Sequence, residues 1–333
     1  MKVKTRIGIV GAGKIVENAH LPALLGRNDI TVEWVADKLD AHSERVAKMF
    51  SVKCIPISQA CKRIDGIDLC LLAIPYGVRN EYLSACAANH VAVYVEKPLA
   101  KTVDEHERLI KSIGTNRLAV GFQRRYYNSV AILRDLIRSR VFGTLKSASV
   151  HLQNYSLTSG GGRYITDASI SGGGITIEVG IHLLDVVVDL LRPSRIETIR
   201  VDGLMENGID YHIDSSHILT TEGHRIPVEC HFSLLCQGAS GILFNFESAQ
   251  LEIGMEAQGA IRVHSLQHDH VFGLESNLAP STYRANSSAE AFACAWDDFL
   301  RVVRQEGDCR LLASHSVKTT DWIESIYAGL NNA

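Results

Sequence analysis

The sequence predicts an α/β fold in two parts, a doubly wound parallel sheet followed by a domain built on an antiparallel or mixed sheet. Three observations predict it. Short apolar, β-branched runs alternate with helical patterns up to about residue 122, as in parallel sheets buried on both faces. The first run ends in a glycine turn, G-A-G at 11–13. From about residue 143 the pattern changes to polar–apolar alternation, the mark of strands covered on one face.

The elements follow in order along the chain. RIGIV (6–10) stops at Gly11, as a buried parallel strand does. GAGKIVENAHLPALL follows with helical spacing, interrupted at Pro22. ITVEWVAD (30–37) is a strand closing on Asp37. DLCLLAIP (68–75) and VAVYVEKP (91–98) are two more, followed by the helical patterns RNEYLSACAANH and TVDEHERLIKSIG. RLAVGFQ (117–123) ends this part. KSASVHLQNY, ETIRVDGLM, YHIDSSHILTTEG, RIPVECHFSLL, GILFNFES, AQLEIGME and GAIRVHSL then alternate as sheet strands. The tail, AEAFACAWDDFLRVVRQEG and VKTTDWIESIYAGL, reads as two helices that pack back on the rest of the fold.

Composition sets limits on function. A chain of 333 residues, 46% hydrophobic and 21% charged, supports two globular cores. A net charge of -3 gives no general attraction to nucleic acid or to an anionic membrane. The eight cysteines (54, 61, 70, 86, 230, 236, 294 and 309) form no CxxC pair and no zinc-ligand spacing. A reducing compartment, no disulfide framework and no metal are therefore expected. No run approaches the roughly 18 apolar residues of a membrane span, and the basic start runs straight into glycines. A cytoplasmic protein is the expectation.

The glycine turn carries the first chemistry. Gly11 and Gly13 permit a tight turn in which backbone N–H groups approach a pyrophosphate at a helix N-terminus. Val16 stands where a third glycine is usual. Asp37 lies 26 positions after Gly11, beyond the roughly 20 of the general pattern. Its carboxylate would accept from ribose hydroxyls and repel a 2′-phosphate, which favours NAD over NADP. Lys38 beside it works against that choice, so NADP stays open.

Around VYVEKPLA further matches accumulate in order. They are GAGKI with His20-Leu21-Pro22, AIP at 73–75, Glu96-Lys97-Pro98, GFQRRY at 121–126 and GGGITIEVGIHLLD at 172–185. Together they resemble the glucose–fructose oxidoreductase/inositol dehydrogenase (Gfo/Idh/MocA) family of NAD(P)-dependent oxidoreductases. The resemblance implies a Rossmann dinucleotide-binding domain over 1–122. It also implies an α/β domain for substrate binding and oligomerisation over 123–333, with a large, mostly antiparallel open sheet. Homodimers or homotetramers would form through that sheet. Implied cofactor contacts are Gly11, Gly13, Lys14, Ile15, Asp37, Lys38, Ile74, Pro75, Arg79, Glu96, Lys97 and Gln123.

The residues of these motifs also have a physical reading. Lys97 stands at the carboxyl end of a parallel strand, where open α/β sheets bind ligands. There it would stabilise charge developing on a reacting oxygen; the plain alternative is a surface lysine paired with Glu96. His182 titrates near neutral pH and suits proton transfer, against the alternative of a hydrogen-bonded core histidine. The family pattern GGGxxxDxGxH is met by His182, with Glu178 in place of the aspartate. On an α-helix Glu178, His182 and Asp185 would share one face, with Asp185 orienting the helix or the histidine. Arg79 replaces a frequent family histidine. It would hold an anionic group in bidentate fashion, or else lie on an exposed helix turn. Arg124, Tyr126, Tyr155, Arg163, Tyr164 and Asp167 are candidate substrate contacts, the last four on a glycine-rich loop.

The expected activity is hydride transfer between nicotinamide and a secondary alcohol or ketone of a sugar, cyclitol or sugar derivative. Lys97, His182 and Glu178 would be catalytic. Two other readings stand beside it: a hydrolase or lyase with tightly held NAD that oxidises its substrate transiently, and an NAD(P)-sensing regulator without chemistry.

Overall fold

The computed structural model describes residues 4–153, 167–255, 261–266, 271–274 and 285–331. The chain forms two compact units. The first is Met1–Ala100, Asp104–Gln123 and Ser288–His315; the second is Lys101–Val103, Arg124–Ser287 and Ser316–Ala333. Of the two tail helices, Ser288–Val303 belongs to the first unit and Val317–Asn331 to the second. A single cut at 122/123 therefore leaves the returning helix out of the first unit.

The strands of the first unit are β1 (Thr5–Val10), β2 (Ile30–Ala36), β3 (Lys53–Cys54), β4 (Leu69–Leu72), β5 (Ala92–Val95) and β6 (Leu118–Val120). They form a parallel sheet ordered β3-β2-β1-β4-β5-β6, the Rossmann arrangement with its switch point between β1 and β4. β4, β5 and β6 are buried along their whole length. That is why they read as continuous apolar runs without alternation. β3 is two exposed residues long and carried no pattern to read.

The register places one residue from each of five strands in a row: Ala36, Val10, Leu72, Val95 and Val120. Asp37, Gly11, Ala73, Glu96 and Gly121 are the next residues along their chains. The candidate cofactor residues thus leave the sheet side by side at its carboxyl edge.

The helical stretch after the glycine turn is continuous but carries a π segment. Val16–His20 is a π-turn that runs directly into the short α-helix Leu21–Leu24, with Pro22 in the first turn of the latter. The returning helix packs aromatics behind β5. Trp296 stacks on Tyr94 with ring centres 4.8 Å apart, and Phe292 meets His20 edge-on at 4.9 Å. Arg27 and Arg304 tie the same helix region to Asp29 and Asp297.

The second unit is built on β7 (Leu145–Gln153), β8 (Arg195–Glu206), β9 (Ile209–Thr221), β10 (His224–Ser233), β11 (Gly241–Phe246), β12 (Ala249–Gly254), β13 (Ile261–Ser265) and β14 (Val271–Leu274). Their order is β14-β13-β12-β11-β7-β10-β9-β8, antiparallel throughout except for the β7/β10 pair. β14 has no counterpart in the sequence reading. Buried and more exposed residues alternate from Ile213 to Leu219 in β9 and from Ile226 to Phe232 in β10. Ile213, Ser215, His217, Leu219, Val228, Cys230 and Phe232 are buried. Trp322 of the Val317–Asn331 helix meets His217 edge-on at 5.3 Å, which marks the inner face. All eight cysteines are free thiols. No helix among the described residues is long and apolar enough to cross a membrane.

Candidate active site

The glycine turn is fixed by backbone geometry and by Asp37. Gly11 has φ +92°, and a Cβ there would stand 2.3 Å from the Ala73 carbonyl oxygen, so only glycine fits. Asp37 Oδ2 accepts from the Ala12 N–H at 2.6 Å and Oδ1 from the Leu39 N–H at 2.8 Å. The carboxylate that would meet a ribose therefore also holds the turn. Lys14, Ile15 and Lys38 are exposed around it; Ile74 and Pro75 are half-buried on the neighbouring strand end.

The Glu96-Lys97-Pro98 segment is clamped by side chains that the sequence reading had placed elsewhere or passed over. His20 Nδ1 accepts from the Trp296 indole N–H at 3.0 Å. Indole is a donor only, so neutral His20 carries its proton on Nε2 and donates it to Glu96 Oε1 at 2.9 Å. From the other side Arg79 Nη1 donates to the Glu96 carbonyl at 2.8 Å. Arg79 is 1% exposed, which corrects the exposed-turn alternative. Burial lowers its pKa to about 10, so it remains a cation at neutral pH. Lys97 leaves this braced strand end half-buried.

These residues fit a dinucleotide. Where Gly13 would carry a Cβ there is open space for 4 Å. Arg79 Nη2 and Gln123 Oε1 are buried and have no hydrogen-bond partner among the described residues. Such groups are costly unless something supplies the missing acceptor or donor.

In the second unit the triple glycine at 172–174 leads into a second π-turn, Thr176–Gly180, which runs on as the helix Ile181–Leu191. π-turns of this kind are frequent at functional sites. A fully buried Asp210 organises the entry. Its Oδ1 accepts from the Gly174 N–H and the Tyr327 hydroxyl, both at 2.6 Å, and its Oδ2 from the Thr176 N–H at 2.8 Å. A Cβ on Gly174 would stand 2.1 Å from the Asp210 carbonyl oxygen. Burial, then the neighbouring carboxylate, pushes the Tyr327 phenol well up, so it keeps the proton that it donates to Asp210.

The shared helix face holds from His182 to Asp185, within the α-helix Ile181–Leu191, but is interrupted before it. The π-turn spans the residues between Glu178 and His182, so α-helical spacing does not hold there. Asp185 anchors its helix. It makes a bidentate pair with Arg125, at 2.8 and 2.6 Å, and accepts from Thr319 at 2.9 Å, with both charged side chains 1% exposed. Burial disfavours the Arg125 charge, but Asp185 outweighs it and holds the guanidinium pKa up. His182 is buried and Glu178 half-buried.

The remaining candidates divide. Tyr126 is wholly buried, and its carbonyl accepts from the Ala285 N–H at 2.8 Å; as placed, it offers no surface to a substrate, which corrects that expectation. Arg124 keeps Nε and Nη1 buried with no hydrogen-bond partner among the described residues, and burial lowers its pKa. Asp167 caps a short helix through Ser169. Tyr155, Arg163 and Tyr164 lie outside the described residues.

Comparison with known proteins settles the family. Residues 5–122 match the family model for an oxidoreductase family with an NAD-binding Rossmann fold, and residues 130–265 match the Gfo/Idh/MocA C-terminal domain. The chain belongs to the Gfo/Idh/MocA oxidoreductase family. Its first unit is the NAD(P)-binding domain of that family. A dTDP-3,4-didehydro-2,6-dideoxy-alpha-D-glucose 3-reductase from Streptomyces antibioticus is 28% identical over 233 residues, 69% of this chain and 70% of that one. A glucose-6-phosphate 3-dehydrogenase from Bacillus subtilis is 30% identical over 55% of this chain and 52% of its own. Among solved structures, a 3-ketoreductase from Actinomadura kijaniata shares the fold with TM-score 0.80 at 17% identity, over 98% of both chains.

Proposed function

We propose that this Gfo/Idh/MocA member transfers a hydride between NAD and a secondary alcohol or ketone at carbon 3 of a sugar or sugar derivative. One observation carries the reading. Asp37, the glycine turn, Ile74-Pro75, Lys97 and Gln123 all follow one row of residues at the carboxyl edge of a single sheet. The position on the sugar rests on the relatives. Those from Streptomyces antibioticus and Bacillus subtilis, and a D-glucoside 3-dehydrogenase from Escherichia coli, are all named for reaction at position 3.

The bound nicotinamide supplies the hydride acceptor or donor. The chain's own residues supply the rest. The Lys97 ammonium, held on a strand end that His20 and Arg79 brace, donates to the reacting oxygen and stabilises its charge. His182 takes up or returns the hydroxyl proton, with Glu178 tuning that group. Asp37 selects the unphosphorylated ribose. Arg124 brings a buried cation with unfilled donors, which suits an acidic or phosphate-bearing sugar. Eight free thiols support a cytoplasmic setting, and a homodimer or homotetramer through the second sheet completes the proposal.

The test is a spectrophotometric screen of NADH and NADPH formation against free, phosphorylated and nucleotide-linked hexoses, with products mapped by NMR. Lys97→Ala and His182→Ala are each expected to lower turnover by about 10² or more, while NAD still binds. Oxidation at a carbon other than 3 removes the positional claim. Unchanged turnover in both variants removes the catalytic assignment.

A further inference from the structure

Away from the catalytic segments, the outer face of the second sheet carries a row of chemistry that the sequence spacing hid. In β9, Ile213 and Ser215 point inward and are 0% and 1% exposed; in β10, Cys230 and Phe232 do the same at 2% and 0%. Strand alternation then sends His212, Asp214 and His231 outward. The register sets Asp214 opposite His231, and His231 beside His151 of β7. Asp214 bridges the two nearest imidazoles: His212 Nε2 lies 2.9 Å from Oδ2, and His231 Nδ1 contacts Oδ1. One donor atom from each of the three residues lies within 4.8 Å of the other two.

We propose that His212, Asp214 and His231 form a binding site for a divalent transition-metal ion of the zinc class, clipping β9 to β10. Two imidazole nitrogens and a carboxylate oxygen suit Zn2+, Co2+ or Ni2+. They do not suit Mg2+ or Ca2+, which take oxygen ligands. In the single chain the side chains are 28%, 40% and 32% exposed, which leaves room for an ion and for water to complete its coordination. His151, its ring centre 6.3 Å from that of His231, stands next in the row. Coordination needs a lone pair on His212 Nε2 and His231 Nδ1. A proton on either atom moves to the other ring nitrogen where that one is vacant, or to solvent where the ring was cationic. No pair of ligands is adjacent in sequence except through His-x-Asp, and the third comes from another strand.

The experiment uses the full chain without an affinity tag, stripped with chelator and titrated with Zn2+, Co2+ and Mg2+ by calorimetry. One equivalent of Zn2+ or Co2+ is expected, and none of Mg2+. Co2+ should also broaden the imidazole NMR signals of His212 and His231 in the parent chain, a readout that needs no variant to fold. His212→Ala, His231→Ala and the near-isosteric Asp214→Asn should each weaken Co2+ binding at least about 10-fold, the lower loss seen for even an outer-shell partner. His224→Ala, a control elsewhere on the sheet, should leave it unchanged. The proposal is overturned if the parent shows no saturable binding. It is equally overturned if one-equivalent binding survives His212→Ala/His231→Ala, or if Co2+ broadens other histidines instead.

Discussion

The Asp210 carboxylate is the most informative residue to perturb, because it shapes the turn leading into the His182 helix without itself being a candidate for chemistry. It is 0% exposed and accepts from the Gly174 and Thr176 N–H groups and from the Tyr327 hydroxyl. Hydrogen bonds to a charged group contribute roughly 1.5–3 kcal/mol each, and each buried donor left unmatched costs about 1–3 kcal/mol. Tyr327→Phe removes one donor together with its bond, so a local loss of about 1.5–3 kcal/mol is expected. Asp210→Asn keeps one acceptor but turns an amide donor on a backbone N–H, which should cost more. Asp210→Ala strands three donors, and about 4 kcal/mol is expected because the losses do not add fully. A chain of two units need not unfold in one step, so the assay is hydrogen exchange read by mass spectrometry on peptides covering 172–180. At about 1.4 kcal/mol per factor of ten, protection there should fall roughly tenfold or more in Tyr327→Phe and several hundredfold in Asp210→Ala. Peptides of β1 and β4 should not change. Protection in Asp210→Ala within threefold of the parent would refute the argument, as would equal losses in the Ala and Phe variants.

Two further perturbations address the first unit. Asp37→Ala should lower kcat/KM for NADH about 10- to 100-fold, the worth of a charged hydrogen bond, and narrow the preference over NADPH. Because Asp37 also holds the Ala12 N–H, NADPH should not become a better substrate than NADH is for the parent, and steady-state kinetics with both cofactors checks it. Asp29 gives a pH dependence. The Arg27 hydrogen bonds, opposed by burial and joined by Arg304, lower its carboxyl from the ordinary 3.8 to about 2. A depressed folded pKa means stability present above about pH 4 and lost as pH falls through about 2. Acid unfolding followed by circular dichroism should therefore begin at higher pH and spread less between pH 4 and 2 in Arg27→Gln. The effect should be small, because the group is partly exposed and screened.

What the sequence made legible followed from local pattern. β1, β4 and β5 announced themselves because both faces are buried, and β9 and β10 because one is. The EKP segment and the triple glycine were readable because each is contiguous. What stayed hidden depends on pairing between distant segments. Asp185 belongs to Arg125, sixty residues away, and Asp210 to Gly174 and Tyr327; no spacing encodes either. His20 was quoted only as part of a motif, and its role needed Trp296 from the far end of the chain. His212 and Asp214 lie on one strand, but only the β9/β10 register brings His231 to them. The helix-face argument holds between His182 and Asp185, which share the α-helix Ile181–Leu191, but not back to Glu178, because the π-turn Thr176–Gly180 breaks the assumed α-helical spacing.

The two motif segments share one design. Lys97 and His182 are each carried on backbone that buried polar groups hold in place: His20, Trp296 and Arg79 for the first, Asp210 and Tyr327 for the second. None of these bracing groups depends on which sugar is bound. Substitutions at the half-buried positions, Glu178 above all, can therefore alter what is recognised without loosening the frame. That separation gives a physical account of how the fold is kept at TM-score 0.80 with only 17% identity. The backbone geometry is specified by a few buried charged contacts and two glycine turns. On the proposed function, the glutamate standing where the family pattern has aspartate is a change of reach by one methylene at a braced site, and Glu178→Asp is expected to change substrate choice and turnover more than stability.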